Sequence, residues 1–144
     1  MLSGHVLWPQ GRLDPHLLYL AVCIHQLIPY LHQQRKRHIR LAHEFAARVD
    51  EHPDFERLAP VPFGVVCFRA RPRGVPFTAA ELDLFNERLL EAVNASGEVF
   101  LSHSRLNGVF VIRMAIGHLR TTTAHTARAW QLLSQHTAAL ARQR

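Results

Sequence analysis

Residues 98–116 read EVFLSHSRLNGVFVIRMAI, and this stretch decides the fold. Asn107 and Gly108 stand between two runs rich in β-branched and aromatic residues. Both tolerate the positive φ that a two-residue hairpin turn demands. The pattern predicts a strand over 98–104, a tight turn, and a second strand over 109–116.

Working outward, Thr78 precedes an apolar-periodic segment, with Glu81 three residues on, the spacing of a capping box. Phe77 and Leu82 flank the cap as a hydrophobic staple. Leu82, Phe85, Leu89 and Val93 recur at helical spacing and form the buried stripe of this helix. Gly97 is its stop signal. Upstream, residues 63–69 (FGVVCFR) read as a buried strand bounded by Pro60, Pro62 and Pro72. Residues 35–52 read as a helix carrying Ile39, Ala42, Ala46 and Val49 on one face, ended by Pro53. Downstream, Thr121 to Thr123 cap a last helix whose inner face is Ala124, Ala127, Trp130 and Leu133. The order α-β-α-β-β-α predicts an α+β domain: a small, mostly antiparallel three-stranded sheet covered by helices.

Residues 1–34 stand apart from 35–144. They hold Pro9, Pro15 and Pro29 and an apolar run over 17–24. About 20 apolar residues are needed to span a bilayer, so the run is too short for a membrane helix. A short helix packing on the domain, or a mis-assigned start, is expected here.

The chain has 144 residues, of which 17 are basic and 11 acidic, for a net charge of +6. The arginines are scattered, with one tight cluster at Arg35, Lys36 and Arg37. This distribution argues against a nucleic-acid interface. Cys23 and Cys67 form no disulfide framework and fit a reducing cytoplasm. The 11 histidines offer no metal-ligand spacing. His43-Glu44 is not followed by the second histidine of a zinc-protease motif. His103, His118 and His125 read as surface or capping residues. No phosphate-binding glycine loop and no nucleophile elbow is present.

Arg113 breaks the local pattern. Alternation places it mid-strand on the face of Val109, Val111 and Ala115. An unpaired buried guanidinium is costly. Either it reaches the rim of the sheet, or it meets a carboxylate. That carboxylate is a structural partner or a ligand, and an arginine fork suits both.

From about Arg35 onward the chain resembles the C-terminal small domain of group II pyridoxal-phosphate (PLP) dependent amino-acid decarboxylases, in their aromatic-L-amino-acid branch. Residues 37–42 with Phe45 look like the helix leading into that domain. Residues 63–69 are similar to the family strand LG(L/V)VCFR. Residues 84–95 match its N..LL..(I/V)N..G helix. Residues 99–104 and 110–116 resemble its hairpin. Arg120-Thr121-Thr122-Thr123, His125 and Ala129-Trp130 resemble its last helix. Five such stretches in order cover about three quarters of the chain.

The resemblance implies the C-terminal domain of a fold-type I PLP enzyme, homodimeric when intact. Its cofactor lysine follows a histidine in a separate large domain. That domain also holds the aspartate on the pyridine nitrogen and the phosphate contacts. When carbon dioxide leaves the amino acid, the cofactor ring delocalises the carbanion. The family's mid-strand arginine reaches toward the substrate carboxylate, and Arg113 matches it. No His-Lys dipeptide occurs here, and Lys36, the one lysine, matches a basic helix position instead. The expectation is therefore a chain with no catalytic, PLP-binding or metal-binding residue of its own. It needs the PLP-binding large domain as partner and is inactive alone. A fragment of this kind should leave an apolar face bare, larger than the few hundred Å² usual for monomers. A stand-alone binding or dimer-assembly module should not.

Overall fold

The computed structural model describes residues 15–143. Its elements are α1 (Pro15–Glu51), β1 (Phe55–Arg57), β2 (Val65–Ala70), α2 (Ala79–Ala95), β3 (Ser102–Leu106), β4 (Val109–Ala115) and α3 (Thr123–Arg142). The class is α+β. The sheet has four strands rather than three, in the order β1-β2-β4-β3, and every neighbouring pair is antiparallel. The additional strand is β1, which pairs Phe55 with Ala70, Glu56 with Arg69 and Arg57 with Phe68. Three residues are too few for alternation to be recognised. Their extended form comes from the partner strand.

The chain divides into two units, residues 1–33 and 34–144. The described part of the first is helical and belongs to α1. The expected short helix is therefore part of a 37-residue helix that continues through Pro29. Proline has no N–H, so the carbonyl of His25 loses its helical partner there. The portion of the expected 1–34 segment before residue 15 lies outside the described residues.

In the second unit the core lies between the helices and one face of the sheet. Leu41, Phe45 and Val49 of α1 meet Phe55, Val66 and Phe68 of the sheet. Leu89 and Val93 of α2, Leu133 of α3, and Phe110 and Ile112 of β4 complete the cluster. Phe45 sits at the centre, tilted on Phe68 at 5.5 Å and edge-on to Trp130 at 5.9 Å. Full burial of each such side chain contributes about 1.5–3 kcal/mol.

Local signals set most element ends. Thr78 and Glu81 form the capping box, with the Thr78 N–H donating to Glu81 Oε2 at 2.7 Å. Phe77 lies edge-on to Phe85. Asn107 and Gly108 both adopt positive φ, at 51° and 83°.

Two expectations shift. Residues 98–101 are not strand, because Asn94 holds the backbone of Leu101 instead. The Leu101 N–H donates to Asn94 Oδ1 at 2.8 Å, and Asn94 Nδ2 donates to the Leu101 carbonyl at 2.9 Å. The inner face of α3 is partly the one expected, with Leu133 buried and Trp130 packed on the core, and partly rotated from it. Thr126, Ala129, Leu132, Leu133 and Thr137 are buried, whereas Ala124 is exposed. The two leucines and Ala129 face the core and fix the rotation.

Candidate functional site

Antiparallel pairing brings directly opposed side chains to the same face of a sheet. Arg113 on β4 is opposed by Cys67 on β2 and by Ser102 on β3. Alternation adds Val65, Arg69, Ser104, Val109, Val111 and Ala115 to that face. None of these residues belongs to the helix-covered core cluster. Arg113 therefore stands in the middle of the sheet, on the face turned away from the core, between two small side chains that leave its guanidinium room. It is half-buried.

A second cation on this face is already matched. Glu56, supplied by β1, pairs with the Nε of Arg69, and its other oxygen lies 3.9 Å from Arg71. No such partner reaches Arg113. Among the described residues it has neither an ion pair nor a side-chain hydrogen bond. No internal ion pair of Arg113 is seen among the described residues.

Asparagine and aspartate side chains of α2 brace the sheet around this position. Buried Asn86 accepts the Ala70 N–H at 2.8 Å and donates to the Ala70 carbonyl at 2.9 Å. Asp83 accepts the Phe110 N–H at 3.1 Å and Arg105 at 2.8 Å, while Arg105 also caps the Gly108 carbonyl. The hairpin carrying Arg113 is thus tied to α2 near its turn. Sequence reading missed these clamps. The available signal was polar Asn86, four residues after Leu82 on an apolar stripe.

Lys36 is exposed on α1 between Arg35 and Arg37. Among the described residues no group of three or more His, Cys, Asp and Glu side chains could hold a metal ion, and no helix is long and apolar enough to cross a membrane. His118 and His125 do cap backbone groups, and His103 stacks on Phe110.

No family model matches the chain. Individual proteins do. Phenylacetaldehyde synthase of Arabidopsis thaliana is 40% identical over 100 residues, covering 69% of this chain and 20% of that protein. Tyrosine decarboxylase 4 of Petroselinum crispum is 39% identical over 105 residues, covering 72% of this chain and 21% of that protein. Among solved structures, Oryza sativa TDC with PLP superposes with a TM-score of 0.74 at 28% identity, over 78% of this chain and 24% of that one. Catharanthus roseus tryptophan decarboxylase in complex with L-tryptophan gives a TM-score of 0.69 at 28% identity, over 75% of this chain and 22% of that one. The chain is therefore a relative of the group II PLP-dependent decarboxylases, in sequence and in fold. Plant tyrosine and tryptophan decarboxylases are among its relatives. It spans about a fifth of the length of the curated relatives it matches.

Proposed function

We propose that this chain is the small-domain portion of a PLP-dependent carboxy-lyase that converts an aromatic L-amino acid to its amine, with Arg113 binding the substrate carboxylate. Arg113 carries the reading: a half-buried guanidinium on a central strand, between Cys67 and Ser102, with no carboxylate of its own among the described residues. Its planar fork offers two parallel donors to an acid. The relatives' names supply the substrate class, since they are tyrosine, DOPA and tryptophan decarboxylases. In this reading a PLP-binding large domain brings the cofactor lysine, and the cofactor supplies the electron sink. This chain's own task is to bind and orient the carboxylate. A cytoplasmic homodimer completes the proposal, and the two free thiols, Cys23 and Cys67, are compatible with it.

The test is reconstitution. The chain is co-expressed with the large-domain portion of a plant tyrosine decarboxylase, and carbon dioxide release is measured. The reconstituted pair should turn over tyrosine or tryptophan, and the chain alone should not. Arg113→Ala should lower kcat/KM by about a hundredfold, as expected for losing a desolvated charge partner. Turnover by the chain alone, abolished by Arg113→Ala, would overturn the division of labour. Reconstituted turnover indifferent to Arg113→Ala would overturn the role of Arg113.

The open sheet face favours a second reading, a retained binding or dimer-assembly module. Among the described residues eight of the twelve exposed large hydrophobics, Tyr19 to Leu31, lie on α1, whereas from residue 34 on they are Phe63, Leu84, Phe100 and Leu119, none of them in the sheet. The Arg113 face mixes Cys, Ser and Arg with Val and is no bare apolar surface. A module of this kind should be monodisperse alone in sedimentation and should bind an intact decarboxylase subunit.

A further inference from the structure

The loop between β4 and α3 is held by two histidines, each through the same ring atom. His118 Nδ1 lies 3.2 Å from the Arg120 backbone nitrogen and accepts its N–H. His125 Nδ1 lies 3.1 Å from the Thr122 backbone nitrogen and 2.8 Å from Thr122 Oγ1. A backbone N–H can only donate. Each Nδ1 must therefore offer its lone pair, so both rings are neutral with the hydrogen on Nε2. One contact closes a turn of two residues, and the other closes the capping box at the N-terminus of α3.

The corresponding position on α2 is Glu81, whose carboxylate accepts the Thr78 N–H at 2.7 Å. A carboxylate keeps its lone pairs far into the acid range, whereas an imidazole does not. Protonation of His125 turns its Nδ1 from acceptor to donor, facing a donor. It also sets a positive charge on the positive end of the α3 dipole. Protonation of His118 breaks the neighbouring turn in the same way. The two events act in the same direction.

The surroundings do not offset the new charges. Leu101, Met114, His118, Arg120 and His125 line one groove of about 540 Å³ together with Glu98. Glu98 is the carboxylate facing it, and Arg128 of α3 holds Glu98 by two bonds of 2.6 and 2.7 Å. Arg120 adds a further positive charge within the loop.

We propose that the β4–α3 loop, residues 117–122, is an acid-sensitive latch worked by His118 and His125. At neutral pH the two imidazoles fasten the loop and the first turn of α3. On acidification both contacts reverse, the turn frays, and one wall of the groove is released. The latch is independent of the decarboxylase reading.

The test is an NMR titration of the full chain from about pH 8 to 5, the window in which histidine changes charge. The amide signals of Arg120 and Thr122 should move with the same midpoints as the rings of His118 and His125. The Thr126 amide, bonded to the Thr122 carbonyl, should lose about fivefold in exchange protection, the typical worth of one cap. In a His118→Asn, His125→Gln double variant each replacement keeps a neutral acceptor at the same reach. Its amides should cease to titrate, and Thr126 protection should become independent of pH. Wild-type amides that do not follow the rings would overturn the latch, as would a double variant whose amides still titrate.

Discussion

Asn86 pairs with both backbone groups of Ala70, so an α2 side chain acts on β2 as another strand would. Its Nδ2 also donates to the Leu82 carbonyl at 2.9 Å, which fixes the amide's orientation. Asn86 is fully buried, so its loss strands backbone groups away from water. Each stranded group costs about 1–3 kcal/mol. Asn86→Leu should therefore destabilise by about 3 kcal/mol in urea unfolding. Asn86→Asp, which has no Nδ2 donors, should do little better. A loss below about 1 kcal/mol for Asn86→Leu would show that the clamp is dispensable.

Gly64 lies where β2 and β4 close at one end. The Ile116 N–H donates to its carbonyl at 2.6 Å, and a Cβ at Gly64 would stand 2.4 Å from the Ile116 carbonyl oxygen. That neighbour is backbone and cannot swing aside. Gly64→Ala should cost about 1–3 kcal/mol, as overpacking does. Hydrogen exchange should show the loss as faster exchange of the Ile116 amide.

Arg69 and Arg113 share a sheet face but should answer truncation in opposite ways. Arg113→Leu removes a half-buried cation without a partner, so stability should change by no more than about 0.5 kcal/mol or should rise. Arg69→Leu leaves Glu56 without its nearest cation and should cost about 1 kcal/mol or more. Paired thermal melts would decide this, and equal losses at both positions would contradict the proposal that Arg113 is kept for a ligand.

Glu98 gives a pH signature. Hydrogen bonds from Arg128 hold its carboxyl below the ordinary 4.5. A carboxyl depressed in the folded state contributes stability above its unfolded pKa and loses it as pH falls through the folded value. The difference between wild type and Glu98→Gln should thus be level above about pH 4.5 and shrink below it. Both side chains are reached by solvent, so added salt should reduce the whole difference.

The capping box at Thr78, the Asn107-Gly108 turn and strand β2 were legible because each is written in adjacent residues. What escaped was set by distant ones. Three-residue β1 has no period of its own and exists because β2 lies beside it. That Arg113 has no ion-pair partner among the described residues escaped for the same reason. Glu56 rides on β1, and only that strand's register gives the carboxylate to Arg69. The start of β3 was misread because Asn94, seven residues before Leu101, occupies backbone groups that composition alone assigns to a strand. In α3 an alanine-rich sequence left several faces equally apolar, and contact with the core selected among them.

The strand order has a consequence for association. The outer strands are β1 and β3, with three and five residues, and they present Glu56, Arg57, His103 and Arg105 along their length. Short, charged borders are poor templates for adding a further strand. The sheet is finished on both sides, which directs any second protein, whether a cofactor-bearing domain or another copy, to its one uncovered face rather than its borders.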